Sequence, residues 1–294
     1  MFTPGVRSML ISAFFFSVMG VLVKLLGRRL PSGEIVLARA LVSLVLSYAL
    51  LRRADVSVWG RRHRLLLFRG LVGCLALHGV FFSIGRLPLA EVTVLHFTNP
   101  IFTAILAALI LREHVSARLL VVIVISLAGV VAVRRPEFLF GGVAEPLDDT
   151  AVWVALGAAF LSGCAYVTVR RLAATEHPLV IVFYFPLVTV PLTLPFVWSD
   201  LLWPQGWEWA ALVGVGVCTQ LGQVYLTHGI KHEPAARATA LTYTQVVFAA
   251  TWGVVVFSDY PSEWTVLGAA LIMAGAYVNI RGGGQAKPVR SSQS

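Results

Sequence analysis

Polar side chains that can bind a solute lie inside a long apolar stretch in the first half of the sequence. Thr93, His96 and Asn99 follow at intervals of three residues, so they share one helical face, and Thr103 lies one turn beyond Asn99. These groups could form hydrogen bonds with a solute in place of the bonds that the solute loses when it leaves water. Such binding needs no covalent chemistry. Alternatively, these side chains could form hydrogen bonds with one another or with nearby backbone. Because the Asn99 amide is too polar to face lipid, we favour a cavity.

A matching set of polar residues recurs in the second half. Thr239, Thr242 and Gln245 stand on one helical face, with Tyr243 beside them. Two such faces on related helices would bound one shared pocket near the middle of a membrane. The sequence therefore predicts a central polar cavity between the two halves.

Five further residues are suited to binding a polar solute. Gln220 and Gln223 share a helical face. His78 can bind substrate, take part in proton coupling, or simply pack between helices as a hydrogen-bonded histidine. Arg39 can bind a carboxylate or phosphate through two hydrogen bonds or extend to the interface, and the Tyr166 hydroxyl also suits helix packing. The candidate substrate-binding residues are Arg39, His78, His96, Asn99, Thr103, Tyr166, Gln220, Gln223, Tyr243 and Gln245.

The elements that position these residues are apolar helices long enough to cross a bilayer. The 294 residues are 58% hydrophobic and 13% charged, whereas a soluble domain has roughly 25% charged residues. A bilayer-spanning helix needs about 20 mostly apolar residues. Ten stretches meet this requirement: 8–26, 34–51, 66–85, 91–111, 117–134, 151–170, 178–197, 209–230, 236–257 and 263–280.

The positive charge of the chain lies in the short breaks between these spans. The net charge is +9, and its placement suits lipid headgroups and topology control rather than nucleic acid, which we exclude as a partner. With a cytoplasmic N-terminus, 16 of the 23 Lys and Arg residues fall on the cytoplasmic side. We therefore expect a multi-pass protein of the cell (inner or plasma) membrane with both termini in the cytoplasm.

Motifs for metal binding and enzymatic catalysis are absent from the sequence. Cys74, Cys164 and Cys218 each lie in an apolar stretch, without a CxxC pair or a histidine at ligand spacing, so we expect no disulfide, metal or cofactor. There is no HExxH, GxSxG or P-loop pattern and no acidic pair within a span. The sequence therefore argues against an intramembrane enzyme.

The two halves of the chain repeat one another at an offset of 146 residues. This offset pairs Pro88 with Pro234 and Gly129 with Gly275, and it places Asn99 opposite Gln245. Each half contains five spans, an odd number, so the second copy enters the membrane from the opposite side, as in many secondary transporters. Small residues in spans 5 and 10 could support a homodimer or packing within the chain; they are Ala128, Gly129, Ala274 and Gly275.

Three segments carry a family resemblance. LPLAEVTVLHFTNP at 87–100, LREHVS at 111–116 and SLAGV at 126–130 resemble the EamA-type transporters of the drug/metabolite transporter superfamily, closest to the branch that includes S-adenosylmethionine carriers. The resemblance implies ten helices, cytoplasmic termini and a cavity lined by helices 1, 3, 4, 6, 8 and 9. Many members have glycine where this chain has Arg112.

We therefore predict an all-α integral membrane protein with ten transmembrane helices in two inverted five-helix EamA repeats. The repeats are residues 1–135 and 151–281, joined by a linker at 136–150 and followed by a disordered cytoplasmic tail at 282–294. The predicted function is alternating-access transport of a small polar metabolite that is amino-acid-like or nucleoside-like, S-adenosylmethionine included. The expected partners are this solute and membrane lipid. A lipid flippase or scramblase is the alternative, with an intramembrane enzyme a more distant one.

Overall fold

A computed structural model describes residues 3–87, 89–134, 139, 148–258 and 262–281 of the chain. Every regular element in these ranges is a helix, and each of the ten predicted spans corresponds to helical structure. The tail at 282–294, Pro88 and all of the linker except residues 139 and 148–150 lie outside the described residues.

The helices are numbered as the spans were, with two of them divided. Their bounds are α1 Pro4–Leu26, α2 Ser32–Arg53, α3 His63–Ile84, α4a Leu89–His96, α4b Asn99–Ile110, α5 Ala117–Arg134, α6 Asp149–Leu172, α7 Pro178–Val197, α8 Trp207–His232, α9a Ala235–Ala240, α9b Thr244–Phe257 and α10 Glu263–Arg281. Short 3₁₀ turns follow α7 at Trp198–Asp200 and join α9a to α9b at Leu241–Tyr243. We call the membrane face at which α1 begins the N-terminal face.

Nine of the described helical segments are long and apolar enough to cross a membrane, and α5 supplies a shorter tenth. The prediction of ten spans is confirmed. Spans 4 and 9 are each interrupted, at the same position of the repeat. In span 4, Pro100 stands just after the break, where its missing N–H costs no helical hydrogen bond.

Helix packing follows the repeat. α1 packs against α8, and the equivalent pair α6 and α3 also pack together. The contact of α2 with α8 has its counterpart in α7 with α3, while α2–α7 and α5–α10 pair each helix with its own equivalent. This exchange of partners is what a two-fold axis between the halves requires, so the two halves interlock rather than lie side by side.

Two repeat-equivalent aromatic residues, Phe97 and Tyr243, meet on this axis. Their rings stack with centroids 5.6 Å apart and planes 26° apart, and the Tyr243 hydroxyl donates a hydrogen bond of 2.9 Å to the Phe97 carbonyl. Both residues lie at the breaks of spans 4 and 9. The tyrosine therefore satisfies a carbonyl that the interrupted helix leaves free.

The small residues of α5 and α10 serve packing within the chain. A Cβ on Gly129 would lie 2.7 Å from the Gly268 carbonyl oxygen, and one on Gly275 would lie 2.3 Å from the Ser126 hydroxyl. Backbone therefore approaches backbone at this contact. Ala128 and Ala274, in contrast, are exposed. Of the four small residues, only these two are accessible for contact with a second copy of the chain.

We expect Tyr243→Phe to lower the free energy of unfolding by about 1 to 3 kcal/mol, because it leaves the buried Phe97 carbonyl without its donor. Thermal denaturation of the purified protein in detergent measures the change. Tyr48→Phe is the matched control, since Tyr48 is exposed. Equal apparent Tm values for the two variants would contradict the assigned hydrogen bond.

Candidate functional site

A closed cavity lies between α2, α7 and α8 near the middle of the membrane. Its volume is about 10 Å³, which leaves room for about one water molecule. The solute-binding helices implied by the resemblance include α8 but neither α2 nor α7. The lining residues are Arg39, Ala40, Ser43, Val182, Phe185, Pro186, Thr189, Thr219, Gln220 and Gln223.

Helical spacing brings the polar lining together. Arg39, Ser43 and Ser47 follow at intervals of four residues, so α2 presents them on one face. The Ser47 hydroxyl donates to Gln220 Oε1 at 3.0 Å, which fixes the amide against α2. Gln220 lies thirteen residues into α8, or about 20 Å along its axis, which places the cavity near mid-depth.

Arg69 is the residue that sequence reasoning missed. It lies six residues inside α3 and is only 3% exposed. Its Nη2 donates to Gln223 Oε1 at 3.2 Å, and its guanidinium stacks over the Phe185 ring at 4.6 Å. Its position inside predicted span 66–85 was the signal that could have identified it.

Neither arginine of this region has a carboxylate partner among the described residues. Arg69 Nε and Nη1 are buried without any hydrogen bond. Arg39 is half-buried, and its Nη1 lies 3.8 Å from the Met19 sulfur. The cavity lining contains no acidic side chain. The site is therefore strongly electropositive and contains unused donors.

His78 and Tyr166 lie outside the cavity lining. The His78 ring bridges two helices, with Nδ1 2.9 Å from the Cys74 carbonyl and Nε2 3.2 Å from the Thr193 hydroxyl. Through these two contacts the imidazole joins α3 to α7. Tyr166 is half-buried on α6, within electrostatic range of Arg69.

The remaining candidates lie at the helix breaks rather than in the cavity. Asn99 is 3% exposed and donates to the His96 carbonyl at 2.8 Å, while Thr103 donates to the Asn99 carbonyl at 2.8 Å. The first of these bonds satisfies a carbonyl that the break in span 4 frees. Asn99 Oδ1 and His96 Nδ1 are nevertheless buried without a partner. Tyr243 stands at the break of span 9, and Gln245 is half-buried just after it.

The structure thus separates the ten candidates into three groups. Arg39, Gln220 and Gln223 line the cavity. His96, Asn99, Thr103, Tyr243 and Gln245 lie at or just beyond the breaks of spans 4 and 9. His78 and Tyr166 lie on helices α3 and α6 and belong to neither set.

An ion pair closes the N-terminal face above the cavity. Glu113 accepts from Arg170 Nε at 2.8 Å and from the Ala235 amide at 2.9 Å. Arg170 also donates to the carbonyls of Ile230 and Lys231, at 3.0 and 2.7 Å. Two charged side chains therefore join the end of α4b to α6, the end of α8 and the start of α9a.

A second ion pair holds the opposite face. Arg29, between α1 and α2, pairs with Glu208 at the start of α8 and donates to the Trp203 carbonyl at 2.9 Å. The hydrogen bond to Glu208 raises the pKa of Arg29 above its usual value, so the pair stays charged. Contacts between charged residues thus close the helix bundle at both faces.

A bundle of apolar membrane-length helices, built twice and closed around an electropositive cavity, defines a multi-pass membrane transporter. The sequence profile of the EamA-like transporter family matches residues 3–135 and 149–281, one match in each half. The chain therefore belongs to the EamA-like transporter family, and the resemblance drawn from the sequence is confirmed.

Individual relatives agree with this assignment. The chain is 34% identical over 270 residues to the pseudopaline exporter CntI of Pseudomonas aeruginosa, covering 92% of this chain and 93% of that one. It is 30% identical to the probable transport protein YPL264C of Saccharomyces cerevisiae, covering 92% and 86%. A chain of a solved crystal structure shares the fold, with a TM-score of 0.83 at 20% identity over 95% of this chain and 96% of that one. The protein is a transporter of a small molecule in a cellular membrane rather than an enzyme.

Proposed function

We propose that this protein exports a small, amino-acid-like polar metabolite by alternating access at the cavity between α2, α7 and α8. The observation that carries the proposal is the position of Arg39, Gln220 and Gln223 together at membrane depth. Polar groups at this depth are costly unless they are paired or used. Export is supported by the similarity to an exporter over 92% of the chain.

Transport requires the cavity to open, since it now has room for about one water molecule. The Glu113–Arg170 contact would break for access from the N-terminal face, and the Arg29–Glu208 contact for access from the other. Because helix pairs exchange under the repeat, the two open states would be built from equivalent helix pairs.

The residues at the breaks become solute contacts when the halves separate. His96 Nδ1 and Asn99 Oδ1 are buried groups without a partner, so they can bond a solute without giving up an existing hydrogen bond. Thr103, Tyr243 and Gln245 also lie at or just after the breaks. His78 holds α3 against the cavity-lining helix α7, and Tyr166 lies within electrostatic range of Arg69. The broken helices α4 and α9 are the elements that would bend.

The proposed setting is the cell (inner or plasma) membrane, with both termini in the cytoplasm. The N-terminal face carries a dense arginine cluster between α2 and α3, which suits the cytoplasmic side; its members are Arg52, Arg53, Arg61, Arg62 and Arg64. In this proposal residues 1–135 and 151–281 are the moving repeats, 136–150 connects them, and 282–294 is the cytoplasmic tail.

Flux through proteoliposomes tests the function. The purified protein is reconstituted and given pseudopaline together with a panel of amino-acid-like and nucleoside-like metabolites. We expect saturable flux of an amino-acid-like compound, reduced about tenfold or more in Gln223→Leu, which loses the amide bonded to Arg69. Gln205→Leu is the control because Gln205 is exposed in a loop.

Two outcomes would contradict the proposal. One is that a folded Gln223→Leu protein transports as fast as the Gln205→Leu control. The other is movement of a fluorescent lipid without flux of any solute, which would indicate the flippase or scramblase alternative.

A further inference from the structure

Two guanidinium groups reach the same central region of the bundle from opposite membrane faces. Arg39 lies seven residues into α2, about 10 Å from its start, and Arg69 lies six residues into α3, about 9 Å from the N-terminal face. Gln223 connects them, since it lines the cavity with Arg39 and accepts a hydrogen bond from Arg69. Both arginines therefore belong to one polar cluster around Gln223.

The buried acidic residues among those described already have hydrogen-bond or ion-pair partners. At the N-terminal face Glu176 accepts the backbone amides of Arg61 and Arg62 at 2.7 to 3.1 Å, and Glu233 pairs with Arg237. At the opposite face the Glu34 carboxylate accepts the Leu202 amide at 2.9 Å. No described carboxylate is therefore left to neutralise Arg39 or Arg69.

A buried guanidinium without an anion is strongly unfavourable in a membrane interior. Arg69 nevertheless has two of its three nitrogens buried without a partner, and Gln220 Nε2 is a third unused donor nearby. These unpaired donors would bind a ligand that has hydrogen-bond acceptors and a negative charge. Carboxylates meet both needs, and arginine binds them through two parallel hydrogen bonds.

We propose that the transported metabolite carries two acidic groups, one held by Arg39 and the other by Arg69, with the Gln220 amide as an additional donor. This inference rests on the proposed function and narrows its substrate class to acidic, amino-acid-like compounds. Two negative charges neutralise the two guanidiniums. A net cation such as S-adenosylmethionine, with its sulfonium and ammonium groups, would instead be repelled by the site.

Ligand-induced thermal stabilisation of the purified full-length protein tests the proposal. Aspartate and glutamate are compared with asparagine and glutamine, because each acid differs from its amide by one charge. 2-Aminoadipate is added as a longer acid, and lysine as a cationic amino acid. We expect at least one acid to raise the apparent Tm with a half-saturating concentration about tenfold or more below that of its amide, and lysine to have no effect. Inorganic phosphate and phosphoserine show whether the site accepts any oxyanion.

Variants separate ligand binding from a purely structural contribution. R39Q and R69Q should each weaken the stabilisation by the acid about tenfold or more, whereas R28Q, which removes an exposed charge, should not. Ligand-free R69Q should keep or raise the apparent Tm, since an uncompensated buried charge is removed. A destabilised R69Q that still prefers the acid over its amide would overturn the proposal, as would stabilisation by none of the acids.

Failure of this inference can be told apart from failure of the proposed function. If neutral or cationic solutes move through the reconstituted protein while acids do not, the transport function stands and the acidic substrate class is wrong. If acids stabilise the protein in an arginine-dependent way but nothing is transported, the binding site stands and the transport proposal is wrong.

Discussion

Gly268→Leu will prevent formation of a stable folded protein. A Cβ at this position would lie 2.4 Å from the Gly129 carbonyl oxygen and 2.9 Å from the Val133 amide nitrogen. These are backbone atoms of α5, so they cannot move aside as a flexible side chain would, and overpacking of this kind costs about 3 kcal/mol or more. The yield of monodisperse protein in size-exclusion chromatography and its apparent Tm measure the effect.

Gly157→Ala is the matched control, because nothing lies within 4 Å of a Cβ at Gly157. Removing a glycine from the interior of α6 should leave the protein as stable or raise its stability by about 0.5 to 1 kcal/mol. If Gly268→Leu purified with the same yield and Tm as Gly157→Ala, the close α5–α10 contact would be wrong.

Arg170→Gln should destabilise the protein by about 3 kcal/mol and loosen its N-terminal face. The substitution removes the ion pair with Glu113 and the bonds to the carbonyls of Ile230 and Lys231. Removing the arginine from this half-buried ion pair leaves the Glu113 carboxylate without its positively charged partner. Thermal denaturation measures the stability, and hydrogen exchange of the backbone at 230–235 reports the loosening.

The neighbouring Arg171 provides the control, since it is exposed and carries the same charge. Arg171→Gln should change the apparent Tm little, as exposed charges contribute about 0 to 1 kcal/mol. Equal effects of the two substitutions would mean that Arg170 acts only through net charge, and the assigned contacts at this face would be wrong.

The ten spans were predictable because lipid imposes a simple rule on the chain. Each crossing needs about 20 apolar residues, and a turn or charge must mark each end. The breaks in α4 and α9 were not predictable from hydropathy, since an interrupted helix has the same composition as a continuous one. Hydroxyls such as those of Thr98 and Thr242, which bond carbonyls three residues earlier at 2.6 Å, stabilise these breaks locally.

The site was predictable only in part. Arg39, Gln220 and Gln223 were singled out because strongly polar side chains at membrane depth are rare, and the structure places them in the cavity lining. Hydroxyls such as Ser43 were too common to single out, although the offset of 146 pairs Ser43 with Thr189 on the facing helix. Which helices face one another depends on packing between distant segments, and this is why sequence reasoning favoured a pocket between spans 4 and 9.

Alternating access at the cavity is tested most directly by the accessibility of a single cysteine at Ser43. Ser43 lines the cavity and is buried, and cysteine is close to it in size. In a protein whose three native cysteines are replaced by alanine, a membrane-impermeant thiol reagent is applied to oriented vesicles from each side. We predict labelling from both sides, slowed by a transported solute. Labelling from one side only, in vesicles that still transport, would contradict the account.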